Sequence, residues 1–205
     1  MSGAPPVLIV ATRNDHKLRE LGELLPGFEL RPLPAGIELP PEEGESFAAN
    51  ALAKARAARQ ASGEAAIADD SGIEVDALGG KPGPRSARFA GERASDEQNL
   101  VALMRAVAGI PGGGRTARYR CVAAIAWPDG SERHAEAVCE GMLVGKRRGS
   151  AGFGYDPIFL PAGWDQTMAE LTDEQKDRIS HRGRAFRALG AELAGDRSAG
   201  LRHPS

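Results

Sequence analysis

Two adjacent aspartates, Asp69 and Asp70, follow a short apolar run and precede Ser71 and Gly72. Neighbouring carboxylates repel each other, so such a pair is favoured where a cation or hydrogen-bond donors neutralise it. Mg²⁺ in proteins binds one or two carboxylates together with substrate phosphate oxygens. Further oxygen ligands are available upstream in the chain, from Glu42, Glu43 and Glu45. The pair therefore predicts a metal or catalytic site, and the alternative is a capped turn with both aspartates solvated.

A second candidate is the segment Thr12-Arg13-Asn14-Asp15-His16-Lys17, which connects a predicted strand to a predicted helix. Free backbone amides and the helix dipole at such a position favour an anion such as phosphate. The segment is not a GxxxxGK[ST] loop, and Asn14 or Asp15 could simply cap the helix. Taken alone, it leaves both interpretations open.

A polar pair interrupts the apolar face of the helix predicted to begin at Phe47. Helical spacing places one set of residues on a single face, namely Phe47, Asn50, Ala51, Lys54 and Ala58. Asn50 and Lys54 are the polar members of a face that should pack inward, which indicates a site. The alternative is that Lys54 extends along the alanines to solvent.

An aromatic loop, Gly152-Phe153-Gly154-Tyr155-Asp156-Pro157, sets a ring between two glycines. Glycines let the backbone approach a ligand closely, and the ring could stack on a planar group. A ring that anchors the core in a tight turn is the alternative interpretation.

Two further segments concentrate cations. Ser180-His181-Arg182-Gly183-Arg184 begins the last predicted helix, where the dipole disfavours positive charge, so a bound anion or acceptor would relieve the conflict. The segment from Gly79 to Arg88 combines glycines, prolines and basic residues. It could bring backbone amides and Arg88 near an anion, or form a solvated turn.

Hydrophobic periodicity and turn residues predict the elements that position these groups. We expect strands over Val7–Ala11, Phe28–Leu33, Ala65–Ala68 and Ile73–Leu78. We expect helices over Asn14–Leu25, Phe47–Ala61 with Ser46 as its N-cap, Asp96–Ala108, and from Ser180 onward with a stripe of Ala185, Phe186, Leu189 and Leu193. Thr116–Trp127 and Glu132–Val144 should form a hairpin. The pattern predicts an α/β fold with a mixed sheet flanked by helices, and it does not specify the strand order.

Composition limits the class of protein. The 205 residues predict a single domain over 1–205, with a frayed tail at 196–205. A net charge of −2 argues against nucleic acid as the partner. The apolar run at Val7–Ala11 is far shorter than a membrane span, so we expect a soluble, cytoplasmic protein. Cys121 and Cys139 lack metal-site spacing and are predicted to be buried free thiols.

In order and spacing, these motifs resemble the Ham1-like family of inosine/xanthosine triphosphate pyrophosphatases, from Val7 to about Leu193. The most specific matches are Ala68–Ile73, Gly80–Gly83 with Ser86–Arg88, Gly152–Phe159 and Ser180–Gly183. The resemblance implies an elongated mixed sheet flanked by helices, with two lobes around a central cleft, and a homodimer. It implies Mg²⁺-dependent hydrolysis of ITP, dITP, XTP and dXTP to the nucleoside monophosphate and pyrophosphate, which cleanses the nucleotide pool.

The resemblance also implies roles for single residues. Those matching the triphosphate-binding positions are Thr12, Arg13, Asn14, Asp15, His16, Lys17 and Lys54. Asp70 matches the proton acceptor and, with Glu42, the magnesium ligands, while Ser71 matches a substrate contact. Those matching the nucleoside and base site are Phe153, Gly154, Tyr155, Asp156, Lys176, His181 and Arg182. Glu43 and Glu45 are alternatives to Glu42 as the second metal ligand, and Arg13 stands where relatives often have glycine.

The chemistry of the base follows from hydrogen bonding. Donors from His181, Arg182 or the loop backbone would suit a 6-keto oxygen and reject adenine, whose amino group would leave them unpaired. Guanine shares the keto group, so its exclusion needs a second device that the sequence does not reveal. Two other hypotheses stay open: a nucleotide pyrophosphatase for other modified bases, and a nucleotide sensor without turnover.

Overall fold

The structure, a computed structural model, describes residues 5–13, 18, 21–22, 24–42 and 46–198, with side chains through residue 193. Within these ranges the strands are β1 (Val7–Val10), β2 (Glu29–Pro32), β3 (Ala66–Val75), β4 (Thr116–Ala126), β5 (Glu132–Leu143) and β6 (Phe159–Pro161). The α-helices are α1 (Phe47–Ser62), α2 (Asp96–Ala106), α3 (Asp173–Ile179) and α4 (His181–Ser198). The helix predicted over 14–25 lies largely outside the described residues, as does the end of the predicted tail.

The six strands form one mixed sheet in the order β2-β1-β3-β4-β5-β6. β1 runs parallel to β2, with Val7 opposite Glu29, and parallel to β3, with Ile9 opposite Ala66. β6 runs antiparallel to β5, where Phe159 lies opposite Leu143. The predicted mixed α/β sheet is therefore confirmed, and the structure supplies the strand order.

The chain divides into two compact units. The first comprises residues 1–70, 122–136 and 182–205, and the second comprises 71–121 and 137–181. The boundaries fall between Asp70 and Ser71 and between His181 and Arg182, among others. No helix within the described residues is both long enough and apolar enough to span a bilayer.

In the first unit, α1 packs through small residues. Ser46 caps the helix by accepting a hydrogen bond from the Ala49 amide at 3.2 Å, as predicted. Phe47 and Ala51 are buried in a cluster with Val122 and Ala124 of β4. Because the alanines bring the helix close to its neighbours, the polar side chains on the same face are also buried.

In the second unit, the core combines β3, β4 and α2. Ile73, Leu103 and Phe159 belong to one cluster of buried residues that also contains Tyr119 and Tyr155. α2 begins with a complete capping box between Ser95 and Gln98. The two cysteines are buried thiols, as predicted.

The structure corrects three local predictions. The strand expected to end at Ala68 continues as β3 through Asp69 and Asp70 to Val75. Residues 76–78 form a 3₁₀ turn, and α2 ends at Ala106. α3 was not predicted, although its capping box from Thr172 to Gln175 is the sequence pattern typical of a helix start.

Candidate active site

Asp69 and Asp70 lie inside β3, where they are only 5% and 4% exposed. The interpretation as a solvated turn is therefore wrong. Successive strand residues point in opposite directions, which lets the two carboxylates bind different partners. Burial makes each charge costly unless those partners compensate it.

Asp70 is surrounded by polar groups of the first unit. The side-chain amide of Asn50 donates a 2.8 Å hydrogen bond to Oδ2, and the ammonium nitrogen of Lys54 lies 3.7 Å from Oδ1. Burial raises the pKa of Asp70 to about 6, against the opposing charge of Lys54, with a further upward contribution from Glu42. A carboxyl group that exchanges its proton near neutral pH can accept a proton from water.

Lys54 is buried on α1, with 7% of its surface exposed. Its ammonium group pairs with Glu42 Oε1 at 2.6 Å, so the interpretation in which the side chain extends to solvent is wrong. Burial favours the neutral amine, but the charges of Asp69, Asp70 and Glu42 outweigh this effect and raise the pKa of Lys54. Lys54 therefore carries a full positive charge beside two acidic side chains.

A pocket of about 550 Å³ in the first unit is lined by residues from the predicted phosphate site and the predicted metal site. Its lining residues are Ala11, Thr12, Arg13, Leu39, Glu42, Lys54 and Asp69. Arg13 also donates a hydrogen bond to the backbone carbonyl of Ile37. Asn14, Asp15, His16 and Lys17 lie outside the described residues, as do Glu43 and Glu45, so their predicted roles remain predictions.

Two carboxylates lie beside the ammonium group of Lys54. Glu42 Oε1 is 2.6 Å and Asp70 Oδ1 is 3.7 Å from the lysine nitrogen, and carboxylate oxygens are donors that suit a hard divalent cation. No cluster of three or more potential metal ligands occurs among the residues that the structure describes. Two carboxylates, completed by phosphate oxygens and water, form the pattern typical of Mg²⁺ bound with a nucleotide.

Asp69 has a separate partner in the same unit. Its Oδ2 lies 3.3 Å from Nε of Arg182, the second residue of α4, and both side chains are more than nine-tenths buried. Arg182, predicted in the base site, is thus held by a charged hydrogen bond to the first aspartate of the pair.

In the second unit, Asp156 organises the aromatic loop. It is buried and accepts hydrogen bonds from the Tyr119 hydroxyl at 3.0 Å, the Lys176 ammonium group at 2.8 Å and the Phe153 amide at 3.1 Å. Three donors compensate the desolvation of this carboxylate. Asp156 therefore fixes the backbone of the loop and the position of Lys176.

Phe153 and Tyr155 have different environments in that loop. Phe153 is 39% exposed and is the one large hydrophobic side chain that stands out as exposed in the described part of the chain. The Lys176 ammonium group lies 5.1 Å from the centre of its ring. Tyr155 is buried, and its hydroxyl donates to the Ser86 carbonyl at 2.7 Å, so it anchors the core. The Gly154 amide donates to Asp96 at 3.3 Å.

His181 stacks on Tyr119, with ring centres 4.7 Å apart and planes within 7°. Burial, reinforced by the charge of Asp156, raises the pKa of Tyr119 well above its usual value, so the phenol remains a donor. Tyr119 therefore contacts two predicted base-site residues. The sequence predicts only that Tyr119 lies in a strand of the hairpin, because a strand pattern does not distinguish a core tyrosine from one whose hydroxyl serves a site.

The segment from Gly79 to Arg88 packs against β3. A side chain at Gly72 would lie 2.4 Å from the Gly83 carbonyl, so only glycine allows this approach. Ser86 is buried, accepts from the Ile73 amide at 2.9 Å and donates to the Gly83 carbonyl at 2.6 Å. The solvated-turn interpretation of this segment is therefore wrong at Ser86. Ser71, next to Asp70, is partly buried.

The chain is similar to known proteins over most of its length. The Ham1 family profile matches residues 8–192. A dITP/XTP pyrophosphatase from Desulforamulus reducens is 48% identical over 185 residues, which cover 88% of this chain and 92% of the relative. The Ham1 protein of Staphylococcus aureus superposes with a TM-score of 0.84 at 37% identity, covering 93% of this chain and 99% of the other.

A dITP/XTP pyrophosphatase structure from Mycobacterium abscessus has a TM-score of 0.74 at 44% identity, covering 89% of this chain and 98% of the other. The fold and site thus define an α/β protein with a mixed sheet and a buried carboxylate and lysine centre. The chain belongs to the Ham1 family.

Proposed function

We propose that this protein hydrolyses non-canonical purine nucleoside triphosphates, namely ITP, dITP, XTP and dXTP, to the nucleoside monophosphate and pyrophosphate. The observation that carries the proposal is the pairing of buried Lys54 with buried Asp70 and with the partly buried Glu42, while Asn50 donates to Asp70. This group occurs in a chain 48% identical to a protein named dITP/XTP pyrophosphatase.

Hydrolysis requires a base for water and positive charge for the leaving group. Asp70, with its pKa raised to about 6, accepts a proton from water while Asn50 orients the carboxylate. The water oxygen forms a bond to the α-phosphorus, and the bond from that phosphorus to the bridging oxygen breaks to release pyrophosphate. Lys54 compensates charge that develops on the phosphate oxygens.

Glu42 and Asp70 would hold Mg²⁺, which supplies further charge neutralisation on the phosphates when bound. The support for this assignment is chemical, because both carboxylates lie beside the same ammonium group, that of Lys54.

The remaining predicted residues would recognise the nucleoside. Phe153 stacks on the purine through its exposed ring, while His181 and Arg182 donate to the 6-keto oxygen or orient the groups that do. Asp156 and Lys176 support the loop that carries Phe153. We further infer a homodimer in the cytoplasm, without nucleic acid as partner, on the basis of the family resemblance and the net charge.

The decisive experiment measures pyrophosphate release from ITP, XTP, GTP and ATP by the full chain, with and without Mg²⁺. Rapid release from ITP and XTP only with Mg²⁺, and slow release from ATP, are expected. Binding of ITP without release would instead indicate a sensor, and preference for another modified base would overturn the substrate assignment. Glu132→Gln is a suitable control, because Glu132 forms an ion pair with Arg56 that is not part of the site.

A further inference from the structure

Asp69 lies next to Asp70, the proposed proton acceptor, but has no role in the proposed hydrolysis step. Its side chain is 3% exposed and pairs with Arg182, which is 6% exposed and 113 residues away in the sequence. Replacing a buried ion pair by apolar residues is often neutral or stabilising, so stability alone does not account for such a pair. A role in orienting a functional group does account for it.

The charge of Asp69 also reaches the phosphate side of the pocket. Asp69 lines the pocket with Glu42 and Lys54. The charges of Asp69, Asp70 and Glu42 together raise the pKa of Lys54, with Glu42 also accepting its hydrogen bond. Three carboxylates thus surround two buried cations in the first unit. Asp69 is the carboxylate that acts on both Lys54 and Arg182.

We propose that Asp69 is a positioning residue that holds Arg182 at the start of α4 in the orientation needed to select the 6-keto base. A charged hydrogen bond to Nε fixes the plane of a guanidinium group, and a donor for a base oxygen must be fixed in direction to discriminate. In the absence of this carboxylate, Arg182 keeps its charge and loses its orientation. The inference rests on the proposed function, since it concerns the selectivity of the same site.

The test uses Asp69→Asn, which keeps the size and one acceptor oxygen and removes the charge. The kcat/KM ratio of ITP to ATP should fall on the order of tenfold, as expected for coupled neighbours. Any effect through Lys54 and the phosphates is common to both substrates and cancels in this ratio. Asp69→Glu, which restores the charge, should recover part of the selectivity, and Glu132→Gln should leave the ratio unchanged.

A double-mutant cycle separates positioning from a general structural role. Arg182→Met should lower the ratio, and Asp69→Asn in that background should lower it no further, because Asp69 then has no arginine to orient. Thermal unfolding checks that each variant is folded. If Asp69→Asn alone does not fold, the comparison of the double variant with Arg182→Met carries the test. The proposal is wrong if the double variant lowers the ITP-to-ATP ratio by the product of the two single losses. It is also wrong if Asp69→Asn alone leaves that ratio unchanged.

Failure of the proposed function would be recognised separately, as absence of ITP hydrolysis by the unaltered protein. The cycle can then be measured by equilibrium dialysis of IMP and AMP, which requires neither turnover nor metal. Loss of IMP preference in Asp69→Asn that matches the loss in Arg182→Met supports the positioning role. Equal IMP and AMP affinities in the unaltered protein would contradict it.

Discussion

Asp70 is subject to opposing influences that tune its chemistry at the scale of one residue. Burial disfavours its charge, whereas Lys54 and the hydrogen bond from Asn50 favour it, and the pKa settles at about 6. A carboxylate with an ordinary pKa would be a weaker base, and a fully desolvated one would remain protonated at neutral pH. The neighbours therefore keep Asp70 both ionisable and basic.

Asp70→Asn should remove nearly all turnover while the protein stays folded. The substitution is nearly isosteric, and it deletes a proton acceptor, whose loss commonly costs about 10²- to 10⁴-fold, together with a negative charge for the metal. Pyrophosphate release from ITP measures the loss, and equilibrium dialysis of IMP checks that the nucleoside still binds. Activity within a few-fold of the parent would exclude Asp70 as the base.

Lys54→Met should weaken binding of ITP more than binding of IMP, because the lysine charge has no β- or γ-phosphate to contact in the monophosphate. Affinities for both nucleotides, measured without turnover in Mg²⁺-free buffer, give the comparison. Arg56→Met is a matched control, since Arg56 lies on the same helix but is exposed and paired with Glu132. Equal losses for ITP and IMP would place Lys54 away from the phosphate chain.

At the scale of elements, a buried helix face and a loop position the polar groups. α1 buries Asn50 and Lys54 because its alanines let it pack closely. In the second unit, Gly152 has a left-handed φ of 75°, and a side chain there would lie 2.2 Å from Asp156 Oδ2. The absence of a side chain at Gly152 therefore leaves the space that Asp156 needs to contact Lys176.

Gly152→Ala should therefore raise KM for ITP while kcat changes little, because displacement of Asp156 disturbs the loop and not the Asp70 centre. Gly163→Ala is the matched control, with a similar φ of 81° and open space around it. Both variants carry the backbone strain of alanine at positive φ, about 1 kcal/mol or somewhat more. Thermal unfolding should show destabilisation of both variants, larger for Gly152→Ala because its side chain also displaces Asp156, and steady-state kinetics should show the KM effect only for Gly152→Ala. A KM effect of equal size in both variants would mean that strain alone is responsible.

The sequence predicts elements whose patterns are local. The cap at Ser46, the hairpin of β4 and β5, and the buried face of α1 depend on neighbouring residues, and the structure confirms them. The path of β3 depends on distant partners instead, because two aspartates in succession indicate a turn unless Asn50, Lys54 and Arg182 are known to compensate them. The role of Tyr119 depends in the same way on Asp156 and His181.

At the scale of the whole molecule, the net charge is only −2, but several charged side chains lie close together in the first unit. In the first unit the buried charges of Asp69 and Asp70 face those of Lys54 and Arg182, and the partly exposed Glu42 adds one further negative charge. Buried charge of this kind opposes folding unless it is neutralised. The free energy of unfolding of the metal-free protein should therefore depend on the protonation of this group.

The sign of that dependence follows from Asp70. Its pKa is raised to about 6 in the folded protein, against about 3.9 in an unfolded chain, so between these values the folded state binds more protons. The stabilising contribution of the protonated carboxyl is complete below about pH 4 and is lost as the pH rises through about 6, by up to about 3 kcal/mol. Urea unfolding without metal should show the stability of the parent relative to Asp70→Asn falling between pH 4 and 6.5, then levelling off. Saturating Mg²⁺ should restore stability to the parent at pH 7 and have less effect on the variant. A difference that stays constant from pH 4 to 8 would mean that Lys54 and Asn50 fully offset the burial of Asp70.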